Sequence, residues 1–334
     1  MRISVVIPLF NGAPYIEAAI RSVANQRRNA DEIIVVDDGS ADEGPSIVKG
    51  LSKETPLTLL SKENGGQGSA RNAGIQRSTG ELIAFLDQDD IWYPHHLEEL
   101  EKPFLRFHPT PLGYSYADLD QIDDDGRIQV RRFLYDQRSS NEHPKRTLLS
   151  CLNQDMFVLP GASLISRAAF DAVGGFDERL TGYEDDDLFL RMFSAGFDAV
   201  FIDRPLTQWR IYPGSTSYSP KMARSRILFL NKLRESYPDR ADMARYFTRD
   251  VFVPRFWPAI MSDALRSVLH GTGEELMPLY VETLNSVMPF VRGRKRRAVA
   301  RLLIVLMSSK RLLNLSRNGF ARSPLQVLGT RLGL

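Results

Sequence analysis

Phe85-Leu86-Asp87-Gln88-Asp89-Asp90 is the stretch that decides the fold. The apolar run from Leu82 to Leu86 passes directly into three carboxylates within four residues. An apolar run of that length reads as a buried strand. Carboxylates at its end fall at the carboxyl edge of a sheet, where open α/β folds place their ligands. Clustered anions repel one another, so something cationic should gather them. A divalent metal carrying a phosphate ester fits, because hard cations take oxygen ligands and share them with substrate phosphates. An isolated Asp-x-Asp is more often a helix cap or a solvated turn. The weight therefore rests on what surrounds it.

Working outward, strands and helices alternate. Ile3 to Pro8 reads as a first strand, and residues 14–26 as a helix with Ile16, Ala19, Ile20 and Val23 on one face and Pro14 in its first turn. Glu32 to Val36 is a second strand, and Ala41 to Leu51 a second helix. Leu57 to Leu60 is a third strand, followed by a polar loop and a helix through Ile75. With Leu82 to Leu86 as the fourth strand, this spacing predicts an α/β fold with a parallel, doubly wound sheet. Beyond Asp90 the expected elements are a helix over 94–107, strands over 113–119, 128–133 and 161–165, and a helix over 184–195. After Ser219 the chain turns strand-poor and reads as helical. The expected division is 1–218, with halves 1–93 and 94–218, then 219–334.

Four clusters close these strands: Pro8-Leu9-Phe10-Asn11-Gly12, Asp37-Asp38-Gly39-Ser40, the stretch from Asn64 to Asn72, and Asp87-Gln88-Asp89. Strand ends in a parallel sheet share one edge, so the four should converge on one crevice. A carboxylate after the second strand can accept from a base or a ribose. Glycines let backbone approach a ligand closely. Arg71 can offer a planar fork to an anion. Neither G-x-G-x-x-G nor G-x-x-x-x-G-K-[ST] occurs, which disfavours dinucleotide oxidoreductases and P-loop enzymes.

Composition adds bounds. Apolar residues are 43% and charged residues 25% of the 334, ordinary for a globular chain. The single cysteine, Cys151, rules out an internal disulfide framework and suits a reducing cytoplasm. No secretory leader and no membrane span are expected. After Glu282 there are eleven Lys and Arg and no acidic residue, an asymmetry that points to an anionic partner.

Together these stretches resemble the family 2 glycosyltransferases. The match runs from Ser4 to Asn11, through Val35 to Ser40, Asn64 to Gly74 and Phe85 to Asp90, to Gly174-Gly175-Phe176-Asp177-Glu178 and Glu184-Asp185-Asp186-Asp187-Leu188. The resemblance implies a GT-A fold, with a Rossmann-like, mainly parallel sheet and here a helical C-terminal extension. It also implies an inverting, metal-dependent transfer from a nucleoside diphosphate sugar, a UDP-sugar by family frequency. Asp38, with Asp37 beside it, would read the base, and Pro8 and Phe10 would line the nucleoside pocket. Gly65, Gly66 and Arg71 would help hold the nucleotide. Asp87 would lie towards the ribose and Asp89 on Mn²⁺ or Mg²⁺, with Asp87 also near the metal. Gly175 and Phe176 would line the acceptor side, with Glu184 at the substrate and Asp185 as the general base. The acceptor would be a glycan or a lipid-linked sugar in surface polysaccharide or glycoconjugate synthesis. The alternative is a non-catalytic module that kept the nucleotide pocket.

Two departures from the family pattern matter. Tyr212, in Trp209-Arg210-Ile211-Tyr212, stands where many relatives carry a metal-binding histidine. Gln-x-x-Arg-Trp, a mark of processive synthases, is absent, so transfer of one or a few sugars is expected. His95, His96, His108, His143 and His270 read as surface or capping residues. Trp92 and Trp257 read as packing aromatics, with Trp92 close enough to the acidic cluster to be a candidate sugar platform. In the tail, Val299, Leu302, Leu303, Leu306 and Leu313 are expected on one helical face, opposite Arg294, Arg297, Arg301 and Arg311. Such a helix can lie on an anionic membrane at the inner face, or pack as an ordinary helix. Nucleic acid is disfavoured, since Phe320 is the sole aromatic after Arg292.

Overall fold

The computed structural model describes residues 1–136, 142–212 and 220–317. The chain divides into two compact units, Met1–Ser215 and Thr216–Leu334. The expected boundary at 218 and the tail beyond 317 fall outside the described residues.

In the first unit, strands β1 (Ile3–Leu9), β2 (Glu32–Asp37), β3 (Thr58–Ser61) and β4 (Leu82–Phe85) alternate with helices α1 (Ile16–Ala24), α2 (Gly44–Leu51) and α3 (Gln67–Arg77). All four strands run parallel, in the order β3-β2-β1-β4. Every residue of β1 is buried, which explains its unbroken apolar run: both faces of a central parallel strand are covered. Ile16, Ala19, Ile20 and Val23 form the buried stripe of α1. A Cβ on Gly74 would lie 2.4 Å from Val6 Cγ1, so α3 can cross β1 only with glycine at that point.

The second half of the sheet departs from the parallel expectation. The strands are β5 (Ile91–Trp92), β6 (Leu112–Ile122), β7 (Ile128–Val130), β8 (Ser163–Ser166) and β9 (Asp198–Arg210). β8 runs antiparallel to both β4 and β6, β6 runs parallel to β9, and β5 is antiparallel to β9. β7 hairpins onto β6. The sheet is therefore mixed. Helices α4 (His96–Glu101), α5 (Phe133–Asp136), α6 (Leu148–Asn153), α7 (Arg167–Ala172) and α8 (Glu184–Ser194) complete the unit. The helix expected over 94–107 is short and passes into a 3-10 turn at Lys102–Leu105, with Pro103 near its start. Phe133 begins a helix instead of ending a strand.

One side-chain expectation is corrected, for His96, and one is met, for Trp92 as a packing aromatic. His96 is fully buried, stacked on Trp92 at 4.0 Å with its Nδ1 3.1 Å from the Leu206 carbonyl, and burial pushes its pKa down to about 3. It is a core residue. Trp92 is 3% exposed and donates Nε1 to the Gly161 carbonyl, so it offers no open platform.

The second unit holds α9 (Pro220–Ser236), α10 (Val253–His270), α11 (Met277–Val287), α12 (Arg294–Met307) and α13 (Lys310–Arg317). Trp257 packs within α10's buried face. Arg317 donates to the Val268 and Ser267 carbonyls, a basic side chain closing a helix C-terminus. The tail's apolar face is corrected. Leu303, Leu306 and Leu313 turn inward with Ala300, while Leu302 is 42% exposed. Leu302 and Leu303 lie about 100° apart around a helix, so a stripe centred on Ala300, Leu303 and Leu306 leaves Leu302 at its edge.

Candidate active site

The parallel register brings the ends of β1, β2 and β4 together, and side chains stitch the loops that follow. Gln88, the middle residue of the Asp-x-Asp, accepts from the Phe10 amide (2.8 Å) and donates to the Phe10 carbonyl (3.1 Å). A Cβ on Gly12 would sit 2.3 Å from Gln88 Oε1, so glycine keeps this pairing open. Asn11 accepts from the Ala41 amide, and its own amide donates to Ser40 Oγ. Asp37 accepts from the Ser40 amide at 2.9 Å, closing the Asp37-Asp38-Gly39-Ser40 turn. Pro8 is buried within β1, and Phe10 is 44% exposed at its end.

Asp38 organises the glycine loop. Its carboxylate accepts from the amides of Gly65 (3.0 Å) and Gly66 (2.7 Å) and from Lys62 Nζ (2.7 Å). The loop needs Gly66 at φ 87, a left-handed conformation, to start α3. These glycine amides are thus turned onto Asp38, and Asp38 is only 3% exposed. Lys62 was not singled out from the sequence; its nearness to Asn64-Gly65-Gly66 was the available signal.

Arg71, expected to help hold the nucleotide, is enclosed by protein. It is 2% exposed and donates Nη2 to Asp87 Oδ1 (2.6 Å) and Nη1 to Glu184 Oε1 (3.1 Å). Its guanidinium lies 5.2 Å from the Phe176 ring centroid and 5.9 Å from Phe85. An arginine so enclosed is an internal cation joining the Asp-x-Asp to the acidic helix. Glu184 spends its other oxygen on the Gly182 amide, so it too is internal. Phe176, expected on the acceptor side, is 3% exposed and packs edge-on to Phe85. Gly175 turns at φ 73 against Phe170 and Asn72. Asn72 fixes the Phe176 backbone through both its amide atoms.

The Asp-x-Asp keeps an uncompensated charge. Asp87 accepts from Arg71 and from Gln67 Nε2 (2.7 Å). Asp89 is half-buried; burial and the charge of Asp87 push its pKa up to about 6, while a hydrogen bond with Tyr212 opposes the rise. Arg210 does not neutralise it by contact. It donates Nε to the Asp89 carbonyl (2.8 Å) and Nη1 to the Asp123 and Asp124 carbonyls. The Arg210 amide donates to Asp90, whose buried carboxyl is raised by burial and by Asp89. Tyr212 packs 5.6 Å from Tyr15, whose hydroxyl meets Asp124. A carboxylate held up by a neighbouring carboxylate, with a phenol as its hydrogen-bond partner, is chemistry a divalent cation relieves. The donor set therefore fits a hard metal ion. Among the described residues no three ligating side chains gather to hold one unaided.

In the first turn of α8, three of four carboxylates have structural duties. Glu184 holds Arg71, Asp186 accepts from the Met156 amide, and Asp187 pairs with Arg191, which grips the Gly175 carbonyl. Asp185 is the half-buried one. It accepts from the Asp186 amide and from no side chain among the described residues. Burial, then Glu184 and Asp186, raise its pKa well above the usual carboxylate range. Tyr183, just before this turn, is held at φ 63, where a bulky residue is rare.

A doubly wound strand set with an Asp-x-Asp at its edge, continued by a mixed half-sheet, is a GT-A fold. Residues 4–174 match the profile described as glycosyl transferase family 2, and residues 154–212 one described as the N-terminal domain of galactosyltransferase. The chain belongs to glycosyl transferase family 2. An uncharacterized glycosyltransferase of Rickettsia prowazekii is 34% identical over 221 residues, 64% of this chain and 65% of the relative. One from Rickettsia bellii is 32% identical over 340 residues, 88% of this chain and 48% of the relative. The chain thus spans only part of these curated relatives. Among solved structures, Staphylococcus aureus TarS 1–349 in complex with UDP-GlcNAc aligns with a TM-score of 0.64 at 20% identity, covering 95% of this chain and 91% of that one. The mannosyltransferase PcManGT from Pyrobaculum calidifontis, in complex with GDP-Man and Mn²⁺, aligns at 0.56 and 19% identity, covering 98% and 86%.

Proposed function

We propose that this chain catalyses inverting transfer of a sugar from a nucleoside diphosphate sugar, a UDP-sugar first, to a hydroxyl of a glycan or lipid-linked acceptor. The observation that carries the reading is Asp185. It is the carboxylate of the acidic turn left without a side-chain partner, and its raised pKa suits a base. Asp185 takes the proton of the acceptor hydroxyl as that oxygen attacks the anomeric carbon. The bond from that carbon to the diphosphate oxygen breaks, with the electron pair leaving on the nucleoside diphosphate. Asp87 and Asp89 would hold Mg²⁺ or Mn²⁺, which when bound offsets charge on the diphosphate. Arg71 fixes Asp87 and, through Glu184, the turn that carries Asp185. Gln88 locks the Asp-x-Asp against Phe10. The support for UDP is the UDP-GlcNAc complex of TarS, and for a metal the GDP-Man and Mn²⁺ complex of PcManGT. Thermal shift against a panel of nucleotide sugars with Mn²⁺, followed by assay of nucleoside diphosphate release, tests the reading. Stabilisation by a nucleotide sugar with release of its nucleoside diphosphate is expected. Binding without release under any acceptor would favour the non-catalytic module.

A second reading concerns place. The outward face of α12 carries Leu302 (42% exposed) and Val305 (51%) between the exposed Arg294, Lys295 and Arg301, and α13 adds Leu315 (55%). Apolar side chains flanked by basic ones suit the interface of an anionic membrane. On this reading the protein works peripherally at the inner membrane face, where a lipid-linked acceptor would be met. No helix among the described residues is long and apolar enough to cross a membrane.

A further inference from the structure

Three aromatic rings from three separate segments meet near the site without joining its core. Phe133 lies 5.6 Å from Trp209 and 6.2 Å from Phe157, centroid to centroid. All three are half-buried, whereas Phe85, Phe176 and Phe189 are closed off from solvent. Phe157 sits at φ 49, a conformation that a bulky L residue adopts only when its surroundings impose it. The trio is tied to both carboxylate elements. Met156, one residue before Phe157, gives its amide to Asp186, beside Asp185. Arg210, one residue after Trp209, grips the Asp89 carbonyl. The Trp209 indole N–H has no protein acceptor among the described residues, although the Trp92 indole has one at 2.7 Å.

We propose that Phe133, Phe157 and Trp209 form a stacking platform for the acceptor's sugar ring; this rests on the sugar-transfer reading above. The C–H face of a pyranose is slightly positive and an aromatic face slightly negative, so the two attract. Half-exposed rings with one free polar tip are how small-molecule sites combine apolar area with orientation. The indole N–H would donate to a sugar hydroxyl oxygen at the ring's edge while the ring faces the C–H groups. A platform bridging the Asp185 turn and the Asp89 segment would present an adjacent hydroxyl to the base.

The test uses the full chain labelled with 5-fluorotryptophan. It has three tryptophans, so three ¹⁹F lines are expected, with Trp209 assigned through Trp209→Phe. Methyl α- and β-glycosides of glucose, galactose, mannose and N-acetylglucosamine are titrated in the presence of UDP. At least one should move the Trp209 line saturably and leave the Trp92 and Trp257 lines in place. Phe157→Leu should weaken that glycoside at least about fivefold, while Phe157→Tyr, which keeps the ring, should bind it nearly as wild type. UDP affinity should be unchanged in both. A panel that leaves the Trp209 line still, or a Phe157→Leu protein that binds as wild type, overturns the platform. Glycoside binding without any donor turnover would instead overturn the transfer reading and leave the platform standing.

Discussion

Replacing Arg71 with methionine separates a structural cation from a ligand-binding one. Arg71 is 2% exposed and spans Asp87 at 2.6 Å and Glu184 at 3.1 Å. Methionine fills similar volume but leaves both carboxylates unpaired. Glu184, with its side chain 8% exposed, carries nearly the whole penalty of an uncompensated buried charge, whereas Asp87 at 27% is partly hydrated. Breaking a buried pair costs about 3–5 kcal/mol. For a domain of this size each kcal/mol moves Tm by about 2–4 °C, so the first unit should melt about 6–20 °C lower. Differential scanning calorimetry without nucleotide reads this directly. Arg71→Met/Glu184→Gln should recover part of the loss, because the buried charge is removed with its partner. A melting temperature for Arg71→Met within about 1 °C of wild type would refute the internal role and return Arg71 to the nucleotide.

Asp185→Asn should stabilise the protein at neutral pH. The folded carboxyl binds its proton more tightly than the unfolded one, whose pKa is near 3.8, so native stability falls as pH rises from there through the raised value. The advantage of the asparagine variant should therefore be present at pH 8 and vanish near pH 3.8; a pH-independent gap in unfolding midpoints would contradict this. Tyr212→Phe removes the hydroxyl that favours ionised Asp89. Mn²⁺-dependent UDP binding, followed by calorimetric titration, should then weaken more at pH 6 than at pH 8, and an equal loss at both would count against the assignment. Vesicles containing phosphatidylglycerol should float the full chain at low salt, and Leu302→Gln/Val305→Gln should reduce flotation. Equal flotation on phosphatidylcholine vesicles would dispose of the anionic-surface reading.

The first half of the fold could be read because β1, β2 and β4 are buried on both faces and bounded by turn residues. Ile3 to Pro8 and Leu82 to Leu86 show no alternation to confuse with other patterns. β9 escaped because Asp198, Asp203, Arg204 and Pro205 interrupt its apolar run, and its pairing with β6 shifts register around Pro205. β5 is two residues long and exists only through its pairing with β9. At the site, Asp38, Asp87, Asp89 and Asp185 were legible as carboxylates at strand or helix ends. Their partners were not, because a sequence shows which residues carry charge but not which charges face each other. Arg71 and Glu184 lie 113 positions apart and meet only through the packing of α3 against the acidic turn. The tail's charge asymmetry was visible, but which of Leu302 and Leu303 points inward depends on neighbouring helices.

Whether Asp185 is the base of a sugar transfer is decided by a paired measurement on Asp185→Asn. Donor affinity is titrated with Mn²⁺, and nucleoside diphosphate release is timed with the same donor and acceptor. With Asp185 as base, donor affinity stays close to wild type and release slows at least about 10²-fold, the low end for losing a general base. Release at near the wild-type rate, with donor still bound, would contradict it.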